Sequence, residues 1–503
     1  MRHLFAMLKQ TAETDPERIA YSEGERQTSY GLLCGHAEAI GSRVAREAPA
    51  RGAIAVVVDA RSTQCVEALM GVLAAGCFYA PLDPALPEER LRLILTNLQP
   101  ALILADDKSL AKAAGAYPQA RAIPVREALQ TAADPALLQA RGAAIAPDDL
   151  SMVLYTSGST GIPKGVAHTQ QGMTVWTETT IRKYGFTSDT VFANISPFYY
   201  ANSLLELFVP MLLGAKVVMI MPSYLTFPKR LIRCLREEGV TELCMTPSSF
   251  VVVANSGALG AGALPELQMF IMSGEVMPQT QLQLWMEAAP NAVAMNFYGS
   301  TETLSIAVDP VVFPEAGHVI PVGRLLPGVT LRLMTDEGRP AAAGQMGEIF
   351  ASSPMVTVGY YRDDDRTRAS LVPDPMGETP GRWFRTGDYG VMDAAGRLSV
   401  IGRMDNMIKH HGYRMELGEV EAAVRQIPGC KEACCLLEQE ADEIWCFAAG
   451  ELQGAELAAY LKACLAKYML PDCYVILPDM PHNANMKIDR SALRQMISGT
   501  SGL

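Results

Sequence analysis

A chain of 503 residues is too long for one hydrophobic core, so two or more domains are expected. Its 49% hydrophobic and 19% charged residues are an ordinary globular balance. A formal net charge of −12 argues against a nucleic-acid or anionic-membrane surface, and suits an enzyme that keeps positive charge where phosphate must bind.

Eleven cysteines show no regular pairing, and the group Cys430, Cys434 and Cys435 lacks the His or CxxC spacing of a zinc site. Dispersed, reduced thiols of a cytosolic protein are expected. The N-terminal MRHLFAMLKQTAETDPERIA has an apolar run too short for a signal peptide. No window reaches the ~18 uninterrupted apolar residues of a membrane span, so a cytoplasmic protein without membrane contact is expected.

Residues 1–50 predict an amphipathic helix, a short strand at 19–22 and a longer helix over 30–46. AIAVVVD at 53–59 is a continuous Val-rich run that suits a parallel strand buried on both faces. A helix over 62–75 follows. CFYAPLDPALPEERLRLIL then predicts strand, Pro-rich turn and helix, with Pro87, Glu88 and Glu89 at the helix start. ALILADD at 101–107 predicts another buried strand. This alternation implies βαβ units and a parallel sheet with helices on both faces. Residues 110–147 are Ala-rich and poorly patterned, and are expected to wander over the surface.

A second set follows: VFANISPF, a helix over 201–213, AKVVMI, a helix around 228–238, and ELCMTP. MFIMSG and AMNFYG are short apolar strands, each ending in a turn with polar groups. Strand C-termini are where open α/β sheets place ligands. From Pro321 short strands alternate with Gly/Pro turns, predicting a β-barrel-like subdomain. A smaller terminal unit begins near 403–405, with CCLLEQ and IWCFAAG as strands and a helix over 456–468. The Ser/Gly-rich tail after Met496 is expected to be disordered.

The stretch at 154–168, LYTSGSTGIPKGVAH, packs Ser, Thr and Gly into a run without apolar periodicity. Backbone N–H groups and hydroxyls of such a loop can face an anion, and glycine lets the backbone approach it closely. MVLY before it predicts a short buried strand, and Lys164 after it adds a mobile positive charge. Strand, Gly-rich loop and Lys form a phosphate-binding arrangement, although the spacing is not that of a GxxxxGK[ST] loop. Taken alone, the residues also suit a plain surface turn.

YTSGSTGIPKGV resembles the signature of the acyl-adenylating superfamily, which includes the adenylation domains of non-ribosomal peptide synthetases, the acyl-CoA synthetases and the luciferases. Further matches follow in order: YGSTET at 298–303, FRTGDYG at 384–390, IGRMDNMIKHHGYRMELGEVE at 401–421 and NANMKIDR at 483–490. The resemblance spans most of the chain. The expected fold is α/β. A large N-terminal domain over 1–402 would hold stacked, mostly parallel sheets with helices plus the β-barrel-like subdomain. A small mobile α+β domain would cover 403–503, with a hinge at Asp405.

The implied chemistry joins a carboxylate to the α-phosphate of ATP and expels pyrophosphate. Positioned cations and N–H donors must neutralise the charge that builds on phosphate. By resemblance, Thr156, Ser157, Gly158, Ser159, Thr160 and Gly161, with Lys164, would wrap the β,γ-phosphates. Asp388 would accept both ribose hydroxyls, which suits a carboxylate with two oxygens. Tyr298 would lie against adenine or ribose, and Thr301 would contact the α-phosphate. Glu302 would hold Mg²⁺, a hard cation that prefers oxygen ligands. Ser273, Gly274 and Glu275 would line the adenine edge, and Arg403 would contact ribose or phosphate. Lys487 would be the catalytic lysine that bridges the attacking carboxylate and the α-phosphate. The small domain would act twice, first delivering Lys487 and then, after rotation, opening a channel for a thiol past 409–413. His410 and His411 are unusual in that loop.

YTSGSTG, YRMELGEVE and NANMKIDR resemble the peptide-synthetase branch, whose acceptor is the phosphopantetheine of a carrier protein. No carrier-like DSL motif follows, so a stand-alone enzyme loading a separate carrier is expected. Amino-acid activators of the family place an Asp at the start of the helix after SPF. That position here is Ala201, followed by Asn202. A buried ammonium without a partner would be costly, so the acid lacks an ordinary α-ammonium or another group binds it. The remaining expected pocket residues are Leu205, Cys244, Ile271, Ser273, Phe297, Ser305 and Ile306. Aryl, aminobenzoic, β-amino, 2-oxo and 2-hydroxy acids all fit. The rivals are a CoA ligase with the same first half-reaction, and a nucleotide-binding protein that has lost catalysis and acts through partners.

Overall fold

The computed structural model describes residues 3–156, 163–274, 277–313, 320–403, 407–411, 413–439, 441–481 and 488–500. The chain divides into two compact units. The first takes in Met1–Pro84, Leu98–Leu154 and Gly165–Met404. The second takes in Ala85–Asn97, Tyr155–Lys164 and Asp405–Leu503.

Among its described residues the first unit holds an eight-stranded sheet. The order is Ala307–Pro310, Val293–Tyr298, Met269–Ser273, Glu242–Met245, Val191–Asn194, Lys216–Met219, Ile19–Glu23, Arg26–Ser29. The six central strands pair in parallel and the two edge strands antiparallel. The runs VFANISPF, AKVVMI, ELCMTP, MFIMSG and AMNFYG supply five of these six central strands, which suits strands covered on both faces. A second sheet contains Gly359–Tyr360, Lys164–Thr169, Leu150–Thr156, Phe78–Pro81, Ala53–Val57, Leu102–Ala105 and Arg121–Pro124. Ala53–Val57 lies inside it and is buried along its whole length.

One hydrophobic cluster joins both sheets. It combines Val56, Tyr79 and Leu104 from the second with Phe192, Val217 and Ile271 from the first, and adds helices Leu4–Thr14, Tyr30–Glu47 and Thr63–Ala74. Serine caps start two of these helices: Ser29 accepts from the Leu32 N–H and Ser62 from the Cys65 N–H.

The third sheet of this unit is the β-barrel-like subdomain. Thr330–Met334, Met346–Ser352 and Trp383–Met392 pair antiparallel in that order, and Leu371–Val372 and Leu398–Arg403 also pair with Trp383–Met392.

Two expectations are corrected. Residues 110–147 do not wander. They form helices Leu110–Ala116, Val125–Ala128 and Pro135–Ala143, and the strand Arg121–Pro124 pairs in parallel with Leu102–Ala105. The strand is only four residues long and lies at the sheet edge, too short to show a period. The tail after Met496 is not disordered throughout either: helix Arg490–Thr500 continues past it, anchored by buried Leu493 and Ile497.

The second unit contains the hairpin Met407–His410 and Tyr413–Glu416, helix Leu417–Arg425, and a sheet of Cys430–Glu438, Glu443–Gly450 and Cys473–Leu477. The Arg90 guanidinium forms a buried ion pair with Glu419 and also bonds Tyr468. Glu421 accepts from the Cys435 N–H at 3.0 Å and from Arg490 Nη2 at 3.1 Å. All eleven cysteines are free. Among the described residues no helix is long and apolar enough to cross a membrane.

Candidate active site

Two adjacent parallel strands of the first unit end together. Ser273 closes one and pairs in register with Phe297, and Tyr298 closes the other. Gly274 then turns with φ +108°, a conformation that favours glycine. Ser273 Oγ lies 3.3 Å from Asn202 Oδ1, which it reaches across the start of the Ala201–Ser203 turn. Glu275 lies outside the described residues.

Tyr298 donates its hydroxyl to Asp388 Oδ2 at 2.6 Å. Asp388 comes from the antiparallel sheet. Its own N–H donates to Thr386 Oγ1 at 3.0 Å, and Gly387 before it adopts φ +73°. Asp388 pairs in register with Arg403, whose side chain lies outside the described set.

After Tyr298 the chain makes a tight loop. The Ser300 N–H donates to Thr303 Oγ1 at 3.0 Å and the Leu304 N–H returns to the Ser300 carbonyl at 2.8 Å. A Cβ on Gly299 would stand 1.6 Å from the Leu304 carbonyl oxygen, so only glycine fits there. His168 Nε2 donates to the Thr301 carbonyl at 2.8 Å. Burial lowers the His168 pKa to about 4, which keeps the imidazole neutral near pH 7. Glu302 is fully buried, and the Tyr360 hydroxyl donates to its Oε1 at 2.9 Å. The Thr357 N–H donates to the Glu302 carbonyl at 2.7 Å. The loop is thus fixed from two segments, the strand Lys164–Thr169 and the stretch 357–360.

In the second unit Lys164 is buried, with Nζ 3.3 Å from Glu416 Oε1. Glu416 belongs to the YRMELGEVE motif. Thr156 ends its strand with Oγ1 buried and without a hydrogen-bond partner. Ser157, Gly158, Ser159, Thr160 and Gly161 lie outside the described residues, as do Asp405 and Lys487.

Of the expected acid-pocket residues, Leu205, Cys244 and Ile271 belong to the large cluster, with Ala201 and Phe297 packed against it. Ser305 Oγ accepts from Trp176 Nε1 at 2.8 Å. Ile306 belongs to a neighbouring cluster with Tyr298.

Sequence reasoning missed His168 and Tyr360 as supports of the YGSTET loop, and Glu416 as the partner of Lys164. It also missed Glu206 and Glu242, two fully buried carboxylates beside Cys244. Both Glu242 oxygens lack hydrogen-bond partners. Burial raises both carboxyl pKa values, and their mutual repulsion adds to this for Glu242. The available signal was an acidic residue inside each of two apolar runs, LLELFV and ELCM.

The fold and the motif-bearing loop are those of an adenylate-forming enzyme of the synthetase-adenylation and acyl-CoA-synthetase type. The chain belongs to the AMP-binding enzyme family, whose model matches residues 8–361. Phosphinothricin tripeptide synthetase PhsC of Streptomyces viridochromogenes is 32% identical over 507 residues, covering 98% of this chain and 45% of the relative. The chain spans less than half the length of the curated relatives it matches. Many solved structures share its fold, and two serve as examples. One is the o-succinylbenzoate CoA synthetase of Bacillus subtilis, with a TM-score of 0.84 and 21% identity, covering 97% of this chain and 98% of the other. The other is PA1221, a protein containing adenylation and PCP domains, with a TM-score of 0.84 and 24% identity, covering 98% of this chain and 84% of the other.

Proposed function

We propose that the protein adenylates a small carboxylic acid with ATP and transfers the acyl group to the phosphopantetheine thiol of a separate carrier protein. One observation carries this reading: Tyr298, Asp388, Thr301 and Glu302, from two separate motifs, gather at the C-terminal ends of two adjacent parallel strands. Open α/β sheets bind ligands at that position.

Asp388, oriented by Tyr298, accepts the ribose hydroxyls. Ser273, Gly274 and Glu275 line the adenine, and Arg403 contacts ribose or phosphate. Lys164 and the loop from Thr156 to Gly161 neutralise the β,γ-phosphates, while Thr301 contacts the α-phosphate. A buried carboxylate aligned by a tyrosine hydroxyl suits a hard cation, so Glu302 is the residue that would hold Mg²⁺. When bound, Mg²⁺ neutralises phosphate charge. Lys487 bridges the attacking carboxylate and the α-phosphate. The chain from Asp405 onward then turns about its hinge so that the thiol can enter. Ala201 offers no carboxylate to an α-ammonium, which favours an aryl, β-amino, 2-oxo or 2-hydroxy acid. The similarity to a peptide synthetase favours a carrier over free CoA.

The test is ATP–pyrophosphate exchange over a panel of α-amino, β-amino, aryl and 2-oxo acids, followed by acyl transfer to a holo-carrier and to CoA. Exchange with no acid would sink the adenylation reading, and transfer to CoA alone would assign a CoA ligase. Ala201→Asp is expected to shift the acid profile towards α-amino acids. An unchanged profile would remove Ala201 from the pocket.

A further inference from the structure

We propose that His410, His411 and Asp442 form a site for a zinc-like divalent transition metal in the second unit. Each offers one ligand atom, and the three atoms lie within 4.8 Å of one another. His411 Nδ1 is 3.1 Å from Asp442 Oδ2, and the two imidazole centroids are 4.0 Å apart. Two imidazoles and a carboxylate select zinc, copper or nickel over magnesium or calcium, which prefer oxygen.

A second observation also points to an ion. His410 is 3% exposed, yet neither ring nitrogen makes a hydrogen bond. Buried polar atoms without partners are uncommon. Its Nε2 lies 3.2 Å from Asp472 Oδ2 but outside hydrogen-bond alignment. Asp472 Oδ2 is itself held by the Ile444 N–H at 2.7 Å. A carboxylate beside one ring nitrogen, with the other nitrogen turned to the ion, is how metal-ligating histidines are commonly oriented. The backbone already favours the cluster, because the His411 N–H donates to Asp442 Oδ2 at 3.2 Å. His411 is 60% exposed, so the open coordination positions face water.

An ion here would tie the hairpin Met407–His410 and Tyr413–Glu416 to the turn between Cys430–Glu438 and Glu443–Gly450. The site needs no substrate, and its existence does not depend on the proposed reaction.

The experiment uses the full chain stripped with a chelator. Zinc chloride is titrated against a chromophoric chelator, and cobalt chloride is followed by its visible d–d bands. One ion per chain is expected, with tetrahedral-type cobalt absorption. His411→Asn keeps a residue suited to φ +48°, and Asp442→Asn keeps the shape of the carboxylate. Each is expected to weaken binding at least tenfold and to abolish the cobalt bands. Zinc should also raise the melting temperature of the parent chain and not that of either variant. Equal binding by the parent and the His411→Asn, Asp442→Asn double variant would overturn the proposal, since the ion would then sit elsewhere. Absence of zinc binding by the parent chain would overturn it directly.

Discussion

Burial sets the charge state of three side chains, His168 against the loop and Glu206 and Glu242 beside Cys244, and it does so with opposite signs. His168 titrates near 6.5 when unfolded and at about 4 when folded. Between those values the unfolded chain binds the extra proton, so stability falls as pH drops from 6.5 towards 4, by about 3 kcal/mol in all. Glu206 and Glu242 have folded pKa values raised by burial. Above the ordinary carboxylate range the folded chain binds more protons there, so stability falls as pH rises. Denaturant unfolding across pH 4–9 should therefore show a maximum. His168→Gln is expected to flatten the acid limb and Glu242→Gln the alkaline limb. Limbs unchanged in both variants would refute the assignment. Tyr298 gives a second test at this scale. Tyr298→Phe removes a donor to Asp388 and is expected to raise the KM for ATP in exchange roughly tenfold, with a smaller change in kcat. An unchanged KM would separate Asp388 from the nucleotide.

The loop at 299–304 is an element with little freedom. Gly299→Ala cannot be accommodated beside the Leu304 carbonyl without moving the backbone that carries Thr301 and Glu302. The variant is expected to remain folded by circular dichroism and to lose exchange activity by roughly a hundredfold or more. Retention of full activity would mean that the loop position is unimportant. The parallel strands were legible because continuous apolar runs such as AIAVVVD announce burial on both faces. The residues of the YGSTET loop were singled out by the resemblance of that motif to the acyl-adenylating signature, and not by periodicity. His168, Tyr360 and Glu416 were not, because each meets its partner only through tertiary packing: 133 residues separate His168 from Thr301, and 252 separate Lys164 from Glu416. The edge strand Arg121–Pro124 was missed for a different reason, its shortness.

At the scale of the whole molecule the proposed reaction asks two things of the second unit. Lys487→Ala is expected to reduce adenylate formation roughly a hundredfold or more while transfer from a pre-made adenylate changes little. Equal loss in both steps would refute a lysine used in only one of them. The second unit is also discontinuous, drawing on 85–97 and 155–164 as well as on the residues from 405 onward. The Arg90 guanidinium leaves the ribosome 329 residues ahead of Glu419, the carboxylate that neutralises it. At roughly 5–20 residues per second this is a wait of roughly 15–65 s. Throughout that interval the nascent chain carries a cation without this partner, so the pair can be buried only after residue 419 has emerged.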